Sequence, residues 1–167
     1  MNTKKLIGAL ALAITCASPM AMAAPETGDR EFTLSGSGSS DKGFDNNKFS
    51  ATASIGWFTS DALLWGLRQN AGVSKTEIGG TDFSGSTTGF VDYHFDFDRW
   101  QPFLGVSLGG TYGDNVDNSF SAGPEFGIKY YVKPKTFLLL SGNYLFNVEE
   151  SASDGSFIYV AGLGFNY

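Results

Sequence analysis

Apolar and polar residues alternate with a period of two along most of the chain after its first 30 residues. In residues 137–148, Leu138, Leu140 and Phe146 fall on one face, whereas small or polar residues fall on the other. This alternation is typical of a β-strand with one apolar and one polar side. Segments of about ten residues, the length needed for a tilted strand to cross a bilayer, show it in eight places: 31–38, 49–58, 62–73, 86–97, 102–112, 120–132, 137–148 and 158–167.

The connections between these segments alternate between short and long. Short turns are expected at residues 59–61, 98–101 and 133–136, and longer loops rich in Gly, Ser, Asn and Asp at 39–48, 74–85, 113–119 and 149–156. Outer-membrane barrels have short periplasmic turns and longer external loops. The sequence therefore predicts an all-β fold, an eight-stranded antiparallel up-and-down transmembrane β-barrel over residues 31–167, with residues 24–30 as a short periplasmic lead-in.

The amino-terminal segment has the features of a secretory signal peptide. Lys4 and Lys5 form a basic start, residues 6–15 are apolar, and Ala21-Met22-Ala23 is a small-residue cleavage site. We predict that residues 1–23 are removed, which leaves a mature chain that contains no cysteine. Export and a barrel together predict insertion into the cell outer membrane.

The two faces of the segments differ in a way that indicates which one meets lipid. A soluble barrel of the lipocalin kind would have an apolar interior and many Lys and Glu outside. Here the non-apolar face is mostly Gly, Ser, Thr and Asn, which suits a narrow packed lumen. Aromatic residues near the turn side of the apolar face predict a membrane-interface girdle: Trp57, Trp65, Phe95, Phe97, Tyr130, Phe165 and Tyr167.

The mature chain is acidic. Removal of Lys4 and Lys5 from the 11 basic residues leaves nine against 17 acidic ones, a net charge of −8. Nucleic-acid binding needs a basic patch, so no nucleic-acid partner is expected.

A set of charged and ionisable residues falls on the lumen face of the predicted strands. They are Glu31, Arg68, Asp92, His94, Asp96, Glu125 and Lys129. One interpretation is a structural network in which opposite charges neutralise one another, because an unpaired buried charge is costly. The other is a salt-bridge gate that passes small ions; an eight-stranded interior is so narrow that any conductance would be small.

His94, the single histidine, lies between Asp92 and Asp96 on one strand face. Three ligands spaced in this way spread over about 13 Å at ~3.3 Å per residue, too wide for one ion, so no metal site and no cofactor are expected. Acyl-transfer chemistry needs a nucleophilic serine close to a histidine that a carboxylate orients. The sequence has no His-x-Ser pattern, and an inward His94 would not face a lipid substrate, so we expect no enzyme.

Three stretches resemble OmpA/OmpX-type small outer membrane proteins: WQPFLGVSLG at residues 100–109, GPEFGIKY at 123–130 and GLGFNY at 162–167. The resemblance implies an eight-stranded barrel inserted by the general outer-membrane assembly machinery, which reads a carboxyl-terminal aromatic signature. The usual last residue in that family is Phe, whereas this sequence has Tyr167.

These observations predict an integral outer-membrane protein with a polar packed lumen and a structural or surface-interaction role. A narrow channel or carrier for ions or small solutes is the alternative, and a lipid-modifying barrel enzyme is a third. The expected partners are outer-membrane lipid, lipopolysaccharide and the assembly machinery, and the barrel is expected to be a monomer. Pro124, on the outward face of the sixth segment, is expected to mark a bulge near the external rim.

Overall fold

The computed structural model describes residues 25–40, 47–76, 80–114, 119–148 and 155–167. The predicted signal peptide, residues 1–23, lies outside these described residues. Across the described ranges, no helix has the length and apolar character needed to cross a bilayer. The strands are β1 (Arg30–Ser40), β2 (Asn47–Phe58), β3 (Leu63–Thr76), β4 (Gly80–His94), β5 (Trp100–Gly113), β6 (Ser119–Lys133), β7 (Thr136–Asn147) and β8 (Ser156–Asn166).

The eight strands form one closed barrel in which each strand pairs with the next in sequence order. All neighbouring pairs are antiparallel, and β8 closes the barrel against β1 through pairs such as Leu34 with Leu163. Closure gives every strand two neighbours, so the sheet has no free edge. The predicted eight-stranded antiparallel barrel is confirmed.

The strand boundaries differ most from the sequence prediction at β3 and β4. Residues 74–76 and 80–85, expected as part of a loop, extend the β3–β4 hairpin, because backbone pairing continues through Val73 with Phe83 as far as Thr76 with Gly80. The fourth strand ends at His94 rather than near residue 97. Beyond it, the Phe95 N–H still donates to the Pro102 carbonyl and Phe97 pairs with Trp100. In the turn itself Asp98 adopts a positive φ of 61°, a conformation that Asp tolerates better than most side chains.

Pro124 causes no bulge, contrary to expectation. It pairs with Val106 of β5 in the regular register. On the β7 side, Ala122 pairs with Phe146 and Glu125 with Asn143, so the register is the same before and after the proline, and the shift lies between Tyr131 and Lys133 instead. A missing N–H removes one hydrogen bond but inserts no extra residue, which is what a bulge requires.

The outer surface of the barrel is apolar over most of its height. Exposed outward side chains include Leu104, Val106 and Leu108 of β5 and Leu138 and Leu140 of β7. An exception is a hydrogen-bonded group towards the loop side. The side-chain amide of Gln69 donates to the Tyr112 hydroxyl at 2.6 Å, and its oxygen accepts from Thr87 at 2.7 Å. These side chains satisfy one another's polar atoms, so Gln69 is accommodated on an apolar surface.

Large inward side chains lie directly opposite glycines of the neighbouring strand. Phe90 pairs with Gly66, Phe103 with Gly127 and Phe137 with Gly164. A Cβ on Gly66 would lie 2.5 Å from Phe90 Cζ, and one on Gly127 would lie 2.5 Å from Phe103 Cζ. Each ring thus occupies the space that a side chain on the opposite residue would need.

This complementarity yields a stability prediction. The variant Gly127→Ala should lower the free energy of unfolding by about 1–3 kcal/mol, because the added methyl overpacks the interior against Phe103. Gly89→Ala is a matched control, since the nearest atom to its added Cβ is 3.8 Å away. Urea unfolding of both variants in the same detergent micelles measures the difference, and equal midpoints would contradict the packing argument.

Candidate functional site

The lumen, the space enclosed by the barrel, contains a buried ion pair near its turn-side end. Lys129 Nζ of β6 donates to Glu31 Oε1 at 2.7 Å and to Oε2 at 2.6 Å, across the barrel on β1. The two side chains are 3% and 5% exposed. The rings of Phe58, Phe103 and Phe137 surround the ammonium at 5.1 to 5.9 Å from their centroids, so cation–π attraction adds to the carboxylate contact.

A second ion pair connects β3 to β6. Arg68 donates to both carboxylate oxygens of Glu125, at 2.6 and 3.1 Å, a two-bond geometry that favours Arg over Lys. Glu125 is fully buried, and the guanidinium lies 4.8 Å from the centroid of Phe90. Each cation of the predicted network is therefore neutralised by a carboxylate from another strand.

Asp92 and His94 lie in the lumen on β4, 3% and 5% exposed. Asp92 lies opposite Gly105, and the His94 ring is 5.5 Å from the Phe58 ring and 5.3 Å from the Phe103 ring. Within the described residues, Asp92 Oδ1 and both His94 ring nitrogens have no hydrogen-bond partner. The two side chains share the interior without a hydrogen bond to each other, so no acid–base pair forms.

Asp96, placed in the lumen by the sequence pattern, is exposed instead. Asp96 lies beyond the last residue of β4 and close to the β4–β5 turn, so it no longer faces the enclosed interior. Asp96 Oδ1 accepts a hydrogen bond from the backbone N–H of Asp98 at 3.0 Å and so helps to form the turn. In the described part of the chain, no group of three or more His, Cys, Asp or Glu lies close enough to hold a metal ion.

Sequence reasoning missed an apolar layer inside the turn-side half of the lumen. This inner apolar layer consists of Phe58, Leu64, Phe90, Phe103, Tyr131, Phe137 and Leu139. The expectation of a polar packed lumen is therefore incomplete, because the turn-side half holds these apolar side chains together with the buried polar side chains of Glu31, His94, Gln101 and Lys129. The glycines opposite Phe90, Phe103 and Phe137 were the available signal, since a small residue on one strand leaves room for a large one on its neighbour.

The loop-side half of the lumen is polar and less tightly filled. A cavity of about 210 Å³ lies there, with Thr52, Asn70 and Thr88 on its wall and Arg68 among its lining residues. Ser107 Oγ and Asn143 Oδ1 also line it, and within the described residues these two buried atoms have no hydrogen-bond partner. Polar atoms of this kind are usually satisfied by water.

The predicted aromatic girdle lies on the outer surface towards the turns. Trp57 and Trp65 stack with centroids 4.9 Å apart, and Phe165 lies 5.8 Å from Tyr167. Tyr93 and Trp100 extend the set, the latter 4.5 Å from Tyr130. Phe95 and Phe97 are exposed beside them. Aromatic rings at this position are typical of side chains that meet the polar–apolar boundary of a bilayer.

No protein-family model matches the sequence, and no curated protein matches it. The fold is similar to that of the amino-terminal β-barrel domain of Pseudomonas aeruginosa OprF, with 17% identity, a TM-score of 0.62, and coverage of 85% of this chain and 98% of that one. It is also similar to the outer membrane protein OprG from Pseudomonas aeruginosa, with 13% identity, a TM-score of 0.59, and coverage of 87% and 99%.

A third similar structure is Neisserial surface protein A, with 18% identity, a TM-score of 0.56, and coverage of 83% of this chain and 96% of that one. At these identities the likeness establishes the fold alone. The fold is that of the small eight-stranded outer membrane β-barrels.

The Lys129–Glu31 pair yields a second prediction. Lys129→Met should lower the free energy of unfolding by about 3–5 kcal/mol, because it leaves the Glu31 carboxylate buried without a partner. The double variant Lys129→Met with Glu31→Gln should recover most of that loss, since it removes both charges. Unfolding in micelles measures the coupling.

Lys135→Met is the control, because Lys135 is exposed on the β6–β7 turn. Strictly additive effects of the Lys129 and Glu31 substitutions would show that the two charges do not stabilise each other.

Proposed function

We propose that this protein is an integral protein of the cell outer membrane with a structural or surface-interaction role. Support comes from its apolar outer surface, its aromatic girdle and the similarity of its fold to outer membrane barrels. In this proposal the predicted signal peptide directs export, and the assembly machinery reads the carboxyl-terminal strand that ends at Tyr167. The outer surface then contacts outer-membrane lipid and lipopolysaccharide around a single barrel.

The filled turn-side half of the lumen is the observation on which this role rests. Phe103, Tyr131, Phe137 and Leu139 form a contiguous buried cluster, and the Lys129–Glu31 pair lies against its rings. Ions crossing this region would have to displace aromatic side chains and separate a buried ion pair, both of which are costly. A static barrier of this kind suits a protein that acts through its surface and its presence in the membrane.

A narrow channel or carrier is the second candidate, favoured by the polar cavity on the loop side. Its wall of hydroxyl and amide groups beside Arg68 is suited to water and small solutes. In this alternative the Arg68–Glu125 and Lys129–Glu31 pairs would rearrange to extend the polar space through the apolar layer.

We propose no catalytic role, because His94 is held inside the barrel among phenyl rings, away from the lipid-facing surface.

Planar-bilayer recordings separate these two candidates. We expect the wild-type protein and the Lys129→Ala and Asp92→Ala variants to give no single-channel steps, because the inner apolar layer remains in place. Removal of that layer by Phe103→Ala with Phe137→Ala should produce measurable conductance.

Phe126→Ala is the control for loss of an aromatic ring, because Phe126 points outward. Currents through the wild-type barrel that change with Lys129→Ala or Asp92→Ala would favour the channel instead.

A deletion strain tests the structural or surface role directly. We expect loss of the gene to increase sensitivity to detergent, to reduce adhesion, or both, and the wild-type gene to restore the lost property. Asp41, Asp45, Glu149 and Glu150 are acidic residues of the predicted external loops 39–48 and 149–156. Complementation with a variant in which these four residues are changed to their amides separates the two roles. If this variant restores detergent resistance but not adhesion, adhesion depends on the acidic residues of the predicted external loops. If the deletion strain has normal detergent resistance and normal adhesion, the structural role and the surface-interaction role are both contradicted.

A further inference from the structure

A pocket of about 610 Å³ opens at the turn-side end of the barrel, below the inner apolar layer. Pro25, Asp61, His94, Asp96 and Gln101 are among its lining residues. Asp61 comes from the β2–β3 turn and Asp96 from the turn after β4, so carboxylates from two turns meet at one pocket. Glu26 adds a third carboxylate to the lining.

Two buried side chains present unsatisfied polar atoms to this pocket. Gln101 is 3% exposed, and among the described residues its Oε1 has no hydrogen-bond partner. The two ring nitrogens of His94 are equally without a partner in the described ranges. A carbonyl oxygen and a neutral imidazole nitrogen are both acceptors, so the pocket combines buried acceptors with acidic side chains and suits a compact cationic donor.

Residues 25–29 of the lead-in are fixed at the opening of this pocket by hydrogen bonds. Thr27 donates to Asp61 Oδ1 through both its backbone N–H and its hydroxyl, each at 3.0 Å. The Gly28 N–H donates to the Phe58 carbonyl at 2.8 Å, and the Glu26 N–H donates to Asp29 Oδ2 at 3.0 Å. Pro25, at the start of this segment, is buried. The position of the backbone immediately after residue 24 is therefore determined.

We propose that the α-ammonium group of the mature chain, created when the signal peptide is cut after Ala23, binds in this pocket. The proposal rests on that predicted cleavage site. Cleavage there leaves one residue, Ala24, ahead of the buried Pro25. Adjacent Cα atoms are about 3.8 Å apart, so the new ammonium lies within one residue of the pocket that Pro25 lines.

The chemistry of the ammonium matches the pocket. It carries three N–H donors and one positive charge, and the pocket offers Gln101 Oε1, a His94 nitrogen and the carboxylate of Asp96. The lumen cation Lys129 is paired with Glu31, which offsets its positive charge. Because the uncut precursor has an uncharged peptide bond at this position, the contact forms only after cleavage, which couples maturation to the stability of the barrel.

The test compares three forms of the full mature chain, folded in the same micelles and unfolded with urea. One form begins at Ala24 with a free amine, one has that amine acetylated, and one has Gly-Ser added before Ala24. We expect acetylation and extension each to lower the folding equilibrium constant about tenfold, the effect expected when a hydrogen-bonded charge loses its partners. Equal unfolding curves for the three forms would overturn the proposal.

A matched pair of turn variants locates the binding site of the amine. Asp96→Asn should destabilise the free-amine form but not the acetylated form, because it removes the negative charge and keeps the oxygen that accepts from the Asp98 N–H. Asp98→Asn, in the same turn, should affect both forms equally. If the effect of acetylation is the same in wild type and Asp96→Asn, the amine does not meet this carboxylate and the proposal fails.

Amino-terminal sequencing of the protein extracted from membranes checks the premise. Alanine followed by proline as the first two residues supports the proposal, and any other start overturns it.

Discussion

The narrow interior of an eight-stranded barrel is the constraint on which the rest of this structure depends. Such a barrel encloses only enough space for side chains, so a large inward residue is accommodated most easily beside a small one. The strand register places Phe90, Phe103 and Phe137 each opposite a glycine. The 22 glycines of the chain are therefore partly explained by the shape of the interior, and not only by turns and loops.

The same close packing governs the electrostatics of the lumen. A charge enclosed by phenyl rings is far from water, so pairing with an opposite charge lowers its cost. Among the described residues, Lys129 pairs with Glu31 and Arg68 pairs with Glu125. Each pair joins strands that are not neighbours in the barrel, β6 with β1 and β3 with β6, so both pairs cross the lumen. Asp92 lies opposite Gly105, so this buried carboxylate, like the phenyl rings of Phe90, Phe103 and Phe137, faces a glycine of the neighbouring strand.

The two halves of the barrel interior differ in kind, and this difference bears on function. The turn-side half is filled by rings and aliphatic side chains around the Lys129–Glu31 pair, and beneath it the lead-in is held to the β2–β3 turn by Asp61. The loop-side half is lined by hydroxyl and amide groups around a small cavity. A barrel whose interior is densely packed on the turn side and polar on the loop side is consistent with the proposed role at the outer face of the membrane.

The period-two pattern determined the number of strands, their antiparallel order and the apolar outer face, because each of these follows from local alternation and from short connections. It also identified Arg68, Glu125, Lys129 and Glu31 as inward residues. Pattern alone did not show which charges pair, because the pairs join strands that are far apart in sequence and meet only when the barrel closes. Nor did it locate the end of β4, since alternation continues through Asp96 although the strand ends at His94. The apolar layer was likewise decided by the tertiary structure, since cross-strand register is what places Phe90, Phe103 and Phe137 opposite glycines.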